Sequence, residues 1–343
     1  MLCLGSASPA ATPDMMDQVL TSYDQDEHGD LEAVVVRIGG RIAGERYYNG
    51  ADAGTLHDVR SAGKSVTSLL VGIAVDSGLM ENIGDPLRRY LPIAADRPVG
   101  AVPLGHLLTM RSGLDADDEQ ADSPGNEARL DASPDPFNFA LSVRLRDCPG
   151  TRYVYNSLTA YIAGLALEGA VGERVDTFAA RTLFAPLAIK DWRWRRDRAG
   201  HTTGQGNLSL TAQDFAKIGQ LVLDKGLWNG RRVVSARWIE ESLTPRVRIS
   251  AVDRYADDYG YFWYSKTYRI GARNVRVDFA SGNGGNKIYV VPDRSLIVAI
   301  QSSAYGRVRG QRRSEQILLR ILGALDAKAP RTKRFPIWAN AAP

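Results

Sequence analysis

Ser61-Ala62-Gly63-Lys64 opens the stretch that decides how this chain is read. From Ser61 to Asp76 the apolar residues Val66, Leu69, Leu70 and Ile73 recur at helical spacing, and Gly78 follows as a stop. The spacing predicts a helix that starts at Ser61. Lys64, three residues on, then shares its face. A serine hydroxyl is a poor nucleophile until a base takes its proton. A lysine amine is such a base only when neutral, which requires burial or nearby positive charge. A helix start adds a positive dipole end and free backbone N–H groups that suit a developing oxyanion. Taken alone, the same residues also read as a helix-start serine beside an exposed lysine.

Two other motifs overlap this stretch and fail. Gly63-Lys64-Ser65 would end a phosphate-binding loop, G-x-x-x-x-G-K-[ST], but its first glycine position holds Asp58, whose charge repels phosphate. A nucleophile elbow, G-x-S-x-G, would need glycine at Val59 and a late histidine, yet no histidine follows His201. His28, His57, His106 and His201 are far apart, and Cys3 and Cys148 fit neither a disulfide framework nor a metal-ligand spacing. No metal and no cofactor is expected.

Outward from this stretch, 343 residues with 44% hydrophobic and 24% charged side chains suit one large fold or two intimate lobes. Disorder, collagen and coiled coil are excluded. No apolar run approaches the roughly 18 residues of a membrane span. The net charge of +4 is scattered, with Arg193, Arg195, Arg196 and Arg198 as its only dense cluster. It reads as a solvated surface rather than a nucleic-acid patch. The opening MLCLGSASPAAT is small and apolar like the tail of a secretory signal, although it lacks a basic region. A periplasmic or secreted location is the expectation, a cytoplasmic one the alternative.

Residues 14–23 read as a short helix. Val34 to Ile38 and Ile42 to Tyr48 are β-rich runs joined at Gly39-Gly40, a hairpin signal. Residues 79–150 are irregular, with a helical piece at Leu104 to Met110. Tyr161 to Glu168 and Ala212 to Leu223 read as further helices. Tyr259 to Tyr268, Val275 to Ala280, Lys287 to Val291 and Leu296 to Ile300 are strand-like, and Gln311 to Leu325 is an amphipathic terminal helix. An isolated hairpin is marginal in water, so the two strand groups should share one sheet. The expected organisation is an N-terminal segment (1–25), an α/β sheet lobe (26–60 and 250–330), a mainly helical lobe (61–249) and a C-terminal tail (331–343). The site would lie in the cleft between lobes.

Two later features bear on chemistry. Tyr153-Val154-Tyr155-Asn156-Ser157 precedes a helix, and a tyrosine hydroxyl near a lysine can shuttle a proton to a leaving group. Both tyrosines also suit the edge of a core. Gly282-Asn283-Gly284-Gly285-Asn286 precedes a strand; its glycines let the backbone approach a ligand, or simply turn a hairpin.

The three features together resemble the serine β-lactamase and penicillin-binding superfamily on its class C side, near its esterases and 6-aminohexanoate-dimer hydrolases. That family carries S-x-x-K, then Y-x-[NS], then K-T-G or a substitute such as H-x-G on a late strand. Ser61 to Lys64, Tyr155-Asn156-Ser157 and Asn283-Gly284-Gly285 fall in that order. The phrases Leu107 to Leu114, Leu208 to Asp214 and Gly282 to Pro292 are also similar to the family's, and the likeness covers roughly residues 30–325. It implies a β-lactamase-type α/β fold (antiparallel sheet, terminal helices, inserted helical lobe). It implies Ser61 as nucleophile, with Lys64 and Tyr155 sharing acid and base work in an order it leaves open. The backbone N–H groups of Ser61 and Asn286 would form the oxyanion hole. Ser157, Asn283, Gly284 and Gly285 would contact a small-molecule substrate.

There are departures. Ser157 is shorter than the usual asparagine. Asn283 replaces the lysine or histidine that helps bind a substrate carboxylate, and cannot make that charge-assisted contact. Lys266-Thr267 is followed by Tyr268 and sits too early to be the third motif. The expectation is a serine hydrolase acting through an acyl-enzyme on a small carboxylic ester or linear amide. A D-alanyl-D-alanine carboxypeptidase, a weak β-lactamase and a catalytically inactive binding module of the same fold are the alternatives.

Overall fold

The computed structural model describes residues 13–328. The first twelve residues, with the signal-like stretch and Cys3, and the 331–343 tail lie outside them. Eight strands form one antiparallel sheet: β1 (Leu31–Ile38), β2 (Arg41–Tyr47), β3 (Val247–Arg248), β4 (Asp258–Tyr259), β5 (Tyr264–Ile270), β6 (Arg273–Gly282), β7 (Asn286–Val291) and β8 (Leu296–Ser302). Their order is β2-β1-β8-β7-β6-β5-β4-β3. The N-terminal hairpin therefore joins the C-terminal strands, with Val36 opposite Val298. The helices α1 (Pro13–Thr21) and α5 (Val308–Lys328) pack beside the sheet, and α4 (Ala212–Leu223) packs on β1, β7 and β8. The remaining helices include α2 (Gly63–Asp76) and α3 (Ser157–Val171). This is the β-lactamase/transpeptidase-like arrangement, a mixed α/β fold with an antiparallel sheet and helices.

Every residue of α2 from Gly63 to Ala74 is buried, so the helix is a central strut rather than an amphipathic surface element. Two of its hydroxyls find partners inside, while that of Ser68 is buried without one. The Ser65 hydroxyl donates to the Phe262 carbonyl at 2.6 Å, and that of Thr67 to the Gly204 carbonyl at 2.7 Å. Gly72 admits the Trp238 ring, which would lie 2.1 Å from an added Cβ.

Three readings are corrected. The run Tyr259 to Tyr268 is two strands, because Phe262 takes a left-handed backbone (φ 58°). Its N–H there reaches the Leu108 carbonyl, tying the chain to the helical part instead of the sheet. His57–Asp58 belongs to a separate small sheet with Leu208–Leu210 and Trp192–Trp194, not to the large one. The helix after Ser61 begins two residues late, with Arg60–Ala62 forming a 3₁₀ turn. Among the described residues, no helix is long and apolar enough to cross a membrane.

One cation is buried within the sheet. Lys287 on β7 is 2% exposed and donates to the Ser281 hydroxyl at 2.7 Å, with the Phe279 ring 4.6 Å away. Burial pulls its pKa down from 10.5 to about 8. The unfolded chain thus binds the proton more tightly, and stability rises with pH between those two values. A drop of that size corresponds to roughly 3 kcal/mol. Lys287→Met should therefore stabilise the fold by about 1–2 kcal/mol at neutral pH, after loss of the Ser281 contact. It should also flatten the rise above pH 8. Urea unfolding across that range checks both effects.

Candidate active site

The chain enters the site through Asp58 and Arg60. Arg60 holds a left-handed backbone (φ 54°), a conformation costing roughly 1–3 kcal/mol in a non-glycine residue. Its N–H donates to the Asp58 carboxylate at 2.8 Å, and its guanidinium lies 4.1 Å from the Tyr305 ring centre. This turn delivers Ser61, half-exposed, to the mouth of α2. Lys64, one turn further, is only 2% exposed. Its Nζ lies 2.9 Å from Ser61 Oγ, 3.2 Å from Ser157 Oγ and 2.8 Å from the Gln205 carbonyl. Three oxygens match the three protons of an ammonium. Burial pulls the Lys64 pKa down, but the Tyr155 phenol, Glu127 and Asp118 outweigh it and hold the group above the ordinary lysine range. The neutral amine expected from burial is thus not the resting form.

Tyr155 places its ring 5.1 Å from Lys64 Nζ. Tyr153, the other register, packs edge-on against Tyr259 at 5.4 Å and belongs to an aromatic cluster in the core. Asn156 caps α3, its Oδ1 accepting from the Thr159 N–H at 2.7 Å. That leaves Ser157, on the first turn, to face Lys64. Asp118 fixes this helix start by accepting from the Ser157 N–H at 2.6 Å and the Glu127 N–H at 2.9 Å.

The third motif sits differently from the sequence reading. Asn283, Gly284 and Gly285 form the β6–β7 turn rather than a strand. Gly284 and Gly285 are buried with left-handed φ of 88° and 95°. Added Cβ atoms there would meet the Ser302 carbonyl at 2.8 Å and the Gly310 carbonyl at 2.4 Å. These glycines shape the hairpin against β8 and α5 and are not among the residues that line the pocket at Ser61. Asn286 is fully buried, its amide donating to the Asn283 and Ser302 carbonyls at 2.8 and 3.0 Å. It staples the turn. Gly282 on β6 is the glycine that abuts the nucleophile turn, since an added Cβ would lie 2.1 Å from the Val59 carbonyl and 3.2 Å from the Ala62 nitrogen. The strand tripeptide beside Ser61 is therefore Ala280-Ser281-Gly282, and the next residue, Asn283, lines a polar pocket of about 80 Å³ together with Ser61. Among the described residues neither the Ser61 nor the Asn283 N–H has a partner. Asn283, rather than Asn286, thus shares this pocket with Ser61.

Sequence reasoning missed Gln205 and Asp118. The Gly204-Gln205-Gly206 loop was legible only as two glycines flanking a polar residue; Gly206 lies 3.1 Å from where a Gly63 Cβ would stand, and Gly204 packs on Gly164. Lys266 pairs with Glu315 at 2.8 Å, outside the site, as its early position implies. Gly282→Ala should displace the nucleophile turn and lower kcat/KM about 100-fold. A wild-type rate in a folded variant, measured with an activated ester and circular dichroism, would show that β6 does not hold that turn.

Comparison with known proteins places this geometry. The family model for beta-lactamase matches residues 17–321. The 6-aminohexanoate-dimer hydrolase of Paenarthrobacter ureafaciens is 26% identical over 260 residues, which is 72% of this chain and 66% of that enzyme. A family VIII carboxylesterase superposes with a TM-score of 0.70 at 16% identity, over 92% of this chain and 99% of the other. A class C beta-lactamase from Rhodobacter sphaeroides superposes at 0.65 and 17%, over 89% and 98%. With most of its length matched by one family model, the chain belongs to the beta-lactamase family of hydrolases.

Proposed function

We propose that this protein is a serine hydrolase that cleaves a small carboxylic ester or linear amide through an acyl-enzyme. The observation that carries the reading is the buried Lys64 ammonium 2.9 Å from the half-exposed Ser61 hydroxyl, in a chain of this family. The substrate carbonyl carbon meets Ser61 Oγ, and its oxygen points at the Ser61 and Asn283 N–H groups. A bond forms from Oγ to carbon, and the serine proton passes to the Lys64–Tyr155 pair. Collapse breaks the carbon bond to the leaving oxygen or nitrogen, which takes that proton. Water repeats the sequence, releasing the carboxylate and restoring Ser61.

An ammonium cannot accept a proton, so the pair must first shed one. Lys64 is held above the ordinary lysine range, so its neutral, proton-accepting form becomes more available as pH rises. Ala280-Ser281-Gly282 offers no cation beside the scissile bond, unlike the K-T-G of β-lactam-turning relatives. This favours an ester or open-chain amide. The names of two relatives, a dimer hydrolase of an amino acid and a carboxylesterase, fit the same substrate classes.

Ser61→Ala should abolish hydrolysis of a short p-nitrophenyl ester and labelling by a fluorophosphonate, with the fold intact. Retention of more than about a tenth of the rate, worth roughly 1.4 kcal/mol of barrier, would remove Ser61 from the reaction. For the proton relay, kcat/KM should climb with pH above neutrality. Tyr155→Phe and Lys64→Ala should each be severely damaging, and the double variant little worse than either. Multiplying losses, or a rate already level at neutral pH, would separate the two groups.

A further inference from the structure

The arginine cluster that the sequence singled out has no part in the chemistry described so far. It lines a second pocket of about 240 Å³ next to the reaction pocket, and the two share Asp131 and Gln205 as walls. Gln205 links them directly. Its carbonyl accepts from Lys64 at 2.8 Å, and its side-chain Oε1 is buried without a partner.

The second pocket is built for an arm with a charged end. Leu130, Pro136 and Tyr161 supply apolar wall, while Arg195, Arg196 and Arg198 supply cations. Arg195 is engaged by Asp131 at 2.7 Å and Arg196 by Asp176 at 2.7 Å. Arg198 meets no carboxylate among the described residues; its contact is the Ser133 carbonyl at 3.5 Å. Asp197, which also lines the pocket, accepts from the Tyr161 hydroxyl and from the His201 N–H at 3.0 Å. The reaction pocket is balanced differently: Arg60 faces Glu127 and Asp131 in its wall, whereas three arginines face Asp131 and Asp197 in the second pocket. The excess of cations lies one pocket further out.

Resting on the hydrolase reading above, we propose that this pocket binds the far end of the substrate's acyl arm, that this end is a carboxylate, and that Arg198 is its anchor. The substrate class is then the mono-ester or mono-amide of an α,ω-dicarboxylic acid, with methylenes against Leu130, Pro136 and Tyr161. Arg195 joins Arg198 when the substrate displaces Asp131 from it, so the Asp131–Arg195 pair is the threshold between the pockets. A planar guanidinium suits this task because it grips a carboxylate through two parallel bonds.

The test uses p-nitrophenyl half-esters of dicarboxylic acids of increasing length, each paired with the neutral p-nitrophenyl alkanoate of equal length. At one chain length kcat/KM for the half-ester should exceed that for its neutral partner by about tenfold, carried in KM, which corresponds to one charge-assisted contact. The preference should shrink with salt. Arg198→Gln should bring the ratio close to one, and Arg198→Glu should invert it. Turnover of the neutral esters with no carboxylate preference at any length overturns the pocket assignment alone. So does a preference that survives Arg198→Gln combined with Arg195→Gln. Inertness of both ester series, with no adduct on Ser61, overturns the hydrolase reading and this assignment with it.

Discussion

An ammonium taken out of water must find an acceptor for each proton, and Lys64 finds them on three separate parts of the chain. Ser61 comes from the turn before α2, Ser157 from the first turn of α3, and the Gln205 carbonyl from the loop that joins Trp192–Trp194 to Leu208–Leu210 in the small sheet. Losing either buried acceptor, Ser157 or the Gln205 carbonyl, leaves a buried charge short of a partner, a costly defect, whereas at partly exposed Ser61 solvent can take the hydroxyl's place. The surroundings follow from that demand. α2 is enclosed on all sides, and its Ser65 and Thr67 hydroxyls bond across to Phe262 and Gly204. α3 has to begin where Ser157 can face the amine, and Asp118 and Asn156 hold it there.

The sheet contributes position more than charge. β6 runs past the end of β5, which pairs with it only as far as Phe279, so residues 280–282 present a free edge toward the nucleophile turn. Close approach of that edge is possible because Gly282 has no side chain. The left-handed backbone at Arg60 stores the cost of aiming Ser61 out of the turn, and the contact with Tyr305 offsets it. The charges are then divided by location, with Tyr155, Glu127 and Asp118 holding the lysine's pKa up and the Arg195, Arg196 and Arg198 cluster lying one pocket away.

Much of this was legible in the amino-acid order because the chemistry depends on short spacings. Ser61 and Lys64 are three apart on one turn, and Tyr155 and Ser157 flank a helix cap, so local geometry alone brings their members together. The strand hairpin and the four late strands could be read from composition and glycine punctuation. The split at Phe262 could not, since a left-handed phenylalanine exists only because the helical part pulls its N–H and carbonyl away from the sheet.

The sequence by itself thus determined the family and the proximity of Ser61 to Lys64, and picked out Tyr155 as their candidate partner, because each depends on residue type at close spacing. Tertiary structure alone decided which glycine abuts the turn, and so which asparagine, Asn283 rather than Asn286, shares a pocket with Ser61. The sequence holds several glycines in a row that are equivalent as letters. They differ only in what stands a few ångströms from each, and that is set by residues far away in the chain: Val59 for Gly282, Ser302 for Gly284 and Gly310 for Gly285. The upward shift of the Lys64 pKa against its burial has the same origin, in Tyr155, Glu127 and Asp118 brought to it from elsewhere in the chain.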